Sequence, residues 1–248
     1  MNRPFEDHFS AIAARYAEFR PRYPEALFDW LARVAPGHAL AWDSGTGSGQ
    51  AAVGLASRFE RVVATDASAE QLAHAEAHPR ILYRLARETA SGLDDRSCDL
   101  VSVAQALHWF DIPAFFAEAR RVLVPGGVIA AWTYVEPALE DRGLDGIFQR
   151  LAGLLRPSWP RERAIAESGY RQVPFPFTEI AAPTLELEMH PTLEELAGYV
   201  RTWSATRRFV ASTGTDPVAA LERELTPLWP SGSRRRLRFP LFIRAGRA

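Results

Sequence analysis

The chain has no lysine and a single cysteine among its 248 residues. All 29 basic residues are therefore arginine, which excludes Schiff-base lysines, pyridoxal-phosphate enzymes and the lysine of a phosphate-binding loop. The lone Cys98 excludes an intrachain disulfide framework and any multi-cysteine metal site. Its position just before an apolar run predicts a small, half-buried residue instead.

Long apolar runs and a strong net charge are also missing. No run reaches the ~18 residues that a membrane helix needs, and the first residues lack the apolar core of a signal peptide. The net charge of −1 gives no general attraction to nucleic acid or anionic membrane. The chain is therefore predicted to be cytoplasmic, without a nucleic-acid or membrane partner. The oligomeric state stays open.

Short apolar runs alternate with helix-length segments between residues 38 and 133. This order predicts right-handed crossovers, a parallel sheet and a doubly wound α/β fold. Residues 1–37 are predicted to form a helical lead-in that includes a helix from Glu25 to Val34. Residues 134–248 are predicted to form a helical cover and to add strands to the sheet edge. The predicted strands lie near 39–43, 61–65, 80–85, 99–103, 128–133, 184–189 and 236–244, and the other predicted helices lie near 50–58, 68–77, 112–122, 140–155, 192–210 and 216–229.

A glycine-rich loop follows the first predicted strand. Residues 43–49 read DSGTGSG, and Asp66 ends the next apolar run. In a βαβ unit such glycines let a ligand approach the backbone, and the second acid can bind a ribose hydroxyl pair. The loop predicts a nucleoside-containing cofactor, against the simpler interpretation of a tight turn without a ligand. Gln50 stands where a dinucleotide fingerprint requires glycine or alanine, which disfavours the alternative of a nicotinamide-dependent oxidoreductase.

Four segments together resemble the class I S-adenosylmethionine-dependent methyltransferases. They are the loop at 43–49, Asp66, the approach to the fourth strand at 91–101, and residues 121–127, which read RVLVPGG. The resemblance implies a Rossmann-like methyltransferase core at 38–133 with S-adenosylmethionine as methyl donor. Residues 16–24 and 105–111 are similar to the trans-aconitate methyltransferase-like subgroup, which implies O-methylation of a carboxylate on a small polycarboxylic acid.

The resemblance also assigns roles to single residues. Gly45, Gly47 and Gly49 would pass beneath the methionine portion of the cofactor, Asp43 would lie near its ammonium group, and Asp66 would accept the ribose hydroxyls. Glu88 would meet the adenine, and Gln105 would lie between the methionine end and the substrate. The remaining residues that it assigns to cofactor binding are Tyr16, Arg20, Thr46 and Ala67.

A carboxylate acceptor needs no general base, only cationic partners for its other carboxylates. The candidates for this role are Arg20, Arg22, Arg207 and Arg208, although such an arginine is more often simply a solvated surface charge. His108 is the candidate catalytic residue, as a base for a hydroxyl or amine acceptor or as part of an aromatic wall. A catalytically idle cofactor-binding protein remains the alternative to an enzyme.

The other patterns carry weaker signals. Tyr16, Tyr23 and Trp203 are candidates for cation–π contacts with a sulfonium, against ordinary core packing. His74 and His78 have a metal-compatible spacing without a third ligand, so no metal site is predicted. The basic run that comprises residues 234–236 and Arg238 is interpreted as a solvated strand entry.

Overall fold

The computed structural model of the protein describes residues 21–248, and their centre is a twisted sheet. Five strands carry the α/β alternation that the sequence predicts. In chain order the elements up to the fifth strand are α1 Glu25–Val34, β1 Leu40–Ser44, α2 Gln50–Ala56, β2 Arg61–Asp66, α3 Ala69–Ala73, β3 Ile81–Leu85, β4 Cys98–Ala104, α4 Ile112–Val122 and β5 Leu123–Tyr134.

The C-terminal part of the chain extends the same sheet. Its elements are β6 Ala138–Leu139, α5 Arg142–Leu155, α6 Arg163–Glu167, β7 Thr178–Ile180, β8 Leu185–Met189, α7 Leu193–Arg201, α8 Ser204–Thr213, α9 Pro217–Leu225 and β9 Leu237–Arg247. Single 3₁₀ turns cover Leu107–Trp109 and Arg156–Ser158.

The strand order is β3-β2-β1-β4-β5-β9-β6. The first five of these strands pair in parallel, whereas β9 runs antiparallel to β5 and also pairs with β6, β7 and β8. Apolar layers cover both faces of the sheet, as parallel strands require. The predicted doubly wound fold is therefore confirmed. The division at residues 37 and 133 stays a prediction, since the sheet continues across the second boundary.

Several local predictions need correction. The stretch near 192–210 forms two helices, because the backbone of Trp203 is extended between them. Helix α3 begins after Ser68, whose side chain accepts the backbone N–H of Gln71 as predicted, but it ends at Ala73 and not near Ala77. Cys98 is fully buried at the start of β4, and burial raises its thiol pKa to about 11. Strands β6 and β7 and helix α6 are too short for a periodic pattern to predict.

Three of the four arginines in the basic run near the start of β9 lie close to carboxylates. Arg234 pairs with Glu195, Arg236 pairs with Glu140 and Glu188, and Arg238 lies 3.9 Å from Glu186. These pairs tie β9 to its neighbours, as expected of a solvated strand entry, and the absence of a nucleic-acid partner stays a prediction. None of the helices in residues 21–248 combines the length and apolarity needed to cross a bilayer.

Candidate functional site

The carboxyl ends of the parallel strands converge at one edge of the sheet. Because β1 pairs in parallel with both β2 and β4, the segments that follow Ser44, Asp66 and Ala104 lie side by side. β5 adds the segment after Tyr134. Ligands of open α/β sheets bind at this edge, so the fold brings together the segments in which the described candidate residues lie.

The glycine loop follows β1 in a backbone conformation that favours glycine. The φ angles of Gly45, Gly47 and Gly49 are +67°, +57° and +84°. A Cβ atom at Gly49 would lie 2.3 Å from the Tyr83 hydroxyl oxygen, and one at Gly45 would lie 2.7 Å from the Ala106 Cβ. Gly47 differs, because a Cβ there would meet nothing closer than 3.7 Å. The outer glycines therefore permit close packing, while a Cβ at the middle one would make only an ordinary van der Waals contact with Gln71.

Asp66 joins this loop to the end of β2. One of its carboxylate oxygens accepts the Gly47 N–H at 2.9 Å, and the other accepts the Ser68 N–H at 2.8 Å. Ala67 lies between these contacts. A carboxylate offers about four lone-pair positions, so it can accept several hydrogen bonds at once. The arrangement fits the ribose-binding role that the resemblance implies.

Asp43 is a fully buried carboxylate at the end of β1. It accepts the Thr46 hydroxyl at 2.6 Å and the Ser102 hydroxyl at 2.7 Å. Burial raises its pKa to about 6, against the lowering effect of the two hydroxyls, and the charge of Asp66 raises it further. No arginine or histidine of the described residues forms an ion pair with it. A buried acid without a cationic partner in this part of the chain fits the ammonium group of the implied cofactor.

Removing the Asp66 carboxylate tests this fit. We expect Asp66→Ala to weaken S-adenosylmethionine binding by about 1–3 kcal/mol, because the acceptor for the ribose hydroxyls and the anchor of the Gly47 N–H are both lost. Calorimetric titration of the folded variant measures the change. The exposed Asp94→Ala variant controls for the loss of one negative charge. Equal affinity in wild type and Asp66→Ala would refute the assignment of β2.

Gln105 follows β4 in a left-handed conformation, with φ +57°. Its side-chain nitrogen donates to the Tyr134 carbonyl at 2.9 Å, and its side-chain oxygen accepts the Thr133 hydroxyl at 2.7 Å. Both ends of the amide are thus fixed by the end of β5. Strained backbone of this kind persists only where the surroundings hold it, and it is common at functional sites.

His108 lies in the 3₁₀ turn beyond Gln105, with its Nδ1 atom 3.4 Å from the Tyr170 hydroxyl oxygen. Burial, followed by the charge of Arg163, lowers its pKa to about 3. The imidazole is therefore neutral at physiological pH and a weak base. Its base role stays a prediction, and the geometry favours the wall interpretation.

A cleft of about 690 Å³, including its open mouth, lies beside these residues. Within residues 21–248 the lining is rich in aromatic side chains, and its charged members are Arg163 and Glu136. The principal lining residues are Gln105, His108, Trp109, Tyr134, Glu136, Trp159, Arg163, Tyr199 and Trp203.

The structure places the remaining candidates as follows. Glu88 lies beyond β3 and accepts the Asp111 N–H at 3.3 Å, so its adenine contact stays a prediction. Arg22 and Arg208 are exposed and Arg207 is half-buried, and none of the three lines the cleft. Tyr16 and Arg20 lie outside the described residues.

The weaker aromatic and metal predictions have different outcomes. Tyr23 packs edge-on against Trp132, with ring centroids 5.6 Å apart, as core packing predicts. Trp203 is buried but also lines the cleft. No group of three or more metal-ligating side chains occurs within residues 21–248, so His74 and His78 have no third ligand there.

Several residues at or beside the cleft were not predicted from the sequence, and the four that matter most to its chemistry are Glu136, Trp159, Arg163 and Tyr170, the last of which contacts His108. All four follow β5, where neither strand alternation nor a glycine motif marks a ligand site. The only signal is compositional, a cluster of Trp, Pro, Arg and Tyr between residues 157 and 172.

Comparisons with known proteins agree with this geometry. The family model described as a methyltransferase domain matches residues 42–131. A solved structure from Anaeromyxobacter dehalogenans, assigned as a type II methyltransferase, is 47% identical, with a TM-score of 0.87 over 92% of this chain and 98% of that one.

Two further relatives are also assigned as methyltransferases. A protein assigned as a methyltransferase in Dictyostelium discoideum is 28% identical over 225 residues, 89% of this chain and 86% of that protein. One assigned as an S-adenosylmethionine-dependent methyltransferase in Saccharomyces cerevisiae is 29% identical over 150 residues, 57% of this chain and 50% of that protein. These findings leave no support for the oxidoreductase alternative. The chain belongs to the class I S-adenosylmethionine-dependent methyltransferases.

Proposed function

We propose that this methyltransferase acts on a small carboxylic acid bound in the aromatic cleft and methylates a carboxylate oxygen. The observation that supports the proposal is the hydrogen bonding of the Arg163 guanidinium group. Its Nη2 atom lies 2.8 Å from Glu136 and its Nε atom lies 2.9 Å from Glu167, but Nη1 has no partner among residues 21–248. Glu136 and Glu167 therefore hold the guanidinium group in place, and its Nη1 atom still has N–H groups that can donate to a ligand in the cleft.

Stacking fixes Arg163 further. The guanidinium carbon lies 3.6 Å from the centre of the Trp159 ring, and only 17% of the side chain is exposed. A guanidinium held in this way loses little conformational freedom when it binds a carboxylate oxygen. The sequence-based candidates Arg22, Arg207 and Arg208 lack such a position, so Arg163 replaces them in the proposal.

For this reaction the protein needs mainly to position the acid against the methyl group of the cofactor. The bound cofactor supplies an electrophilic methyl group on a sulfonium, and a carboxylate is already an adequate nucleophile for it. Arg163 would hold the acid, while the aromatic walls would exclude water and align the reacting oxygen. Such orientation is worth up to about 7–11 kcal/mol of barrier in favourable cases. A neutral His108 is compatible with this reaction because no proton needs to be removed.

A panel of small carboxylic acids and their matched primary amides tests the substrate class. Transfer of labelled methyl to acids, with the amides inactive, is the expected result. Transfer to the amides, or to neutral phenols alone, would overturn the carboxylate assignment. Binding of S-adenosylmethionine without transfer to any acceptor would favour the idle cofactor-binding alternative.

Neutralising Arg163 should act on the acceptor and leave the cofactor unaffected. We expect Arg163→Gln to raise KM for the acid about 10- to 100-fold, the value of one lost charge-assisted hydrogen bond. The dissociation constant of S-adenosylmethionine should stay within twofold. Arg150→Gln, which removes an exposed arginine paired with Glu224, is the matched control. An unchanged KM in Arg163→Gln would refute this role, provided that thermal unfolding shows a folded variant.

A further inference from the structure

We propose that Glu136 selects acids that also carry a positively charged amino group, because it accepts a hydrogen bond from the ammonium group while Arg163 holds the carboxylate. This inference rests on the proposed function, since both residues line the same cleft. It narrows the substrate class from small carboxylic acids to short amino acids in which only a few bonds separate the two charged groups. Glu136 would be a specificity residue that touches the acceptor molecule.

The ion pair between Glu136 and Arg163 leaves one atom of each partner available to a ligand. Glu136 Oε1 lies 2.8 Å from Arg163 Nη2, whereas Glu136 Oε2 has no donor and Arg163 Nη1 has no acceptor among residues 21–248. Because Oε2 and Nη1 belong to the same two groups as the paired atoms, the free acceptor and the free donor are neighbours. A ligand satisfies both when it places a carboxylate close to an ammonium group.

The charges around Arg163 favour the same class of ligand. Arg163 also pairs with Glu167, so one guanidinium and two carboxylates give these three side chains a net charge of −1. Only 17% of the Arg163 side chain and 19% of the Glu136 side chain are exposed, so solvent screens this charge weakly. A ligand that is only an anion would add a second negative charge. A zwitterionic amino acid adds no net charge.

The backbone on both sides of Glu136 is held in place. Tyr134, two residues before it, pairs with β9, and Ala138, two residues after it, pairs with the same strand. Between them, the Pro137 carbonyl accepts the Gln149 side-chain nitrogen at 3.1 Å. A carboxylate on a fixed backbone loses little conformational freedom when it binds an ammonium group.

The aromatic wall of the cleft is compatible with a cation. The Arg163 guanidinium already lies 3.6 Å from the centre of the Trp159 ring, so a positive charge is accommodated against this wall. Tyr199 and Trp203 also line the cleft, with ring centroids 5.6 Å apart and ring planes at 89°. The face of an aromatic ring attracts an ammonium group electrostatically. The wall therefore adds to the attraction that Glu136 supplies.

Methyl transfer in such a complex takes place at the carboxylate. One oxygen of the acid forms a bond to the methyl carbon as the bond between sulfur and that carbon breaks, and the electron pair of the broken bond stays on sulfur. An ammonium group has no lone pair, so it does not compete for the methyl group while Glu136 holds it in its protonated form. The product is a methyl ester with an unmodified amino group.

Calorimetric titration with saturating S-adenosylhomocysteine tests the selection without catalysis. The probes are β-alanine, γ-aminobutyrate and phenylalanine, each compared with the acid that lacks its amino group and with its N-acetyl derivative. We expect at least one amino acid to bind about 10- to 100-fold more tightly than both of its comparison acids, because these lack the charged donor for Glu136. If no amino acid binds more tightly than its comparison acids, the inference is overturned.

Glu136→Gln tests whether Glu136 makes the contact. The preference for the amino acid should fall to about threefold or less in this variant. Glu167→Gln is the matched control, because it removes the same charge from the same arginine while Glu167 is not among the described residues that line the cleft. Its preference should stay at about fivefold or more. Equal losses in the two variants would indicate an effect of net charge alone and would overturn the contact.

Thermal unfolding verifies that the Glu136→Gln variant is folded. If it is not, Glu136→Asp serves the same test, because it keeps the charge but draws the carboxylate away from the ligand. The preference for the amino acid should fall about threefold in Glu136→Asp. An unchanged preference in Glu136→Asp would contradict a direct contact.

Product analysis by mass spectrometry separates this inference from the proposed function. Methyl esters formed faster from amino acids than from their comparison acids would support both. Equal ester formation with and without the amino group would overturn the inference and leave the proposed function intact. Selective binding that is lost in Glu136→Gln, without any methyl ester, would support the inference and overturn the carboxylate as the methylated group. An N-methylated product would overturn both.

Discussion

Gly49→Ala should destabilise the protein by about 3 kcal/mol or more and should abolish tight cofactor binding. Gly49 has φ +84°, and the added methyl carbon would lie 2.3 Å from the Tyr83 hydroxyl oxygen. The left-handed backbone alone costs an alanine roughly 1 kcal/mol. Relieving the overlap costs more, because Tyr83 is held by a 2.8 Å hydrogen bond from its hydroxyl to the Glu76 carbonyl. Either the tyrosine or the glycine loop must move.

Urea denaturation and calorimetric titration measure the two effects. Gly126→Ala is the matched control, since Gly126 has φ +76° and nothing lies within 4 Å of an added Cβ. The Gly126→Ala variant measures the cost of placing an alanine in a left-handed backbone without any steric overlap. The double variant Gly49→Ala/Tyr83→Phe removes the nearest clashing atom, so its total loss should be smaller than the sum of the single losses. If Gly49→Ala and Gly126→Ala lose the same amount of stability, the predicted overlap with the Tyr83 hydroxyl does not contribute to the loss.

The core of the fold was predictable because its signals are local. Each parallel strand is a short apolar run, and helix α4 is bounded by Asp111, whose side chain accepts the Ala114 N–H at its start. The glycine loop and Asp66 were predictable for a similar reason. A left-handed turn between a strand and a helix restricts the residue type at each position, and the restriction is visible in one sequence.

The acceptor side could not be predicted in the same way. Arg163 lies in a five-residue helix, and its partners Glu136 and Glu167 are ordinary acids in the sequence. Only the packing of α6 against the end of β5 makes this arginine part of a cleft. Tyr170 is a similar case, because its left-handed backbone occurs at a residue other than glycine and leaves no mark in composition or spacing. Contacts between distant segments determine such sites, and a single sequence does not record them.

Replacing Asp43 by asparagine should stabilise the cofactor-free protein at neutral pH and should weaken the binding of the cofactor. Burial raises the pKa of Asp43 from 3.8 to about 6. The folded state therefore binds a proton more tightly than the unfolded state, and wild-type stability falls as pH rises through this window. At about 1.4 kcal/mol for each pKa unit, ionised Asp43 costs about 3 kcal/mol above pH 6 and nothing below pH 4. The asparagine side chain of Asp43→Asn does not titrate, so this cost is absent from the variant.

The measurement is the difference in the free energy of unfolding between Asp43→Asn and wild type, from urea denaturation at pH 4 and pH 7. That difference should shift in favour of the variant by about 3 kcal/mol between the two values. Ser102→Ala is a control that should raise the pKa of Asp43 further. The Ser102 hydroxyl lowers this pKa in the wild type, so the free energy of unfolding of Ser102→Ala should depend on pH more steeply than that of the wild type. At pH 7.5 the Asp43→Asn variant should bind S-adenosylmethionine about 10- to 100-fold more weakly, because the ammonium group loses its carboxylate. If the free energies of unfolding of wild type and Asp43→Asn have the same pH dependence, ionised Asp43 does not destabilise the folded protein. If they differ but the cofactor affinity is unchanged, the ammonium group of the cofactor binds elsewhere.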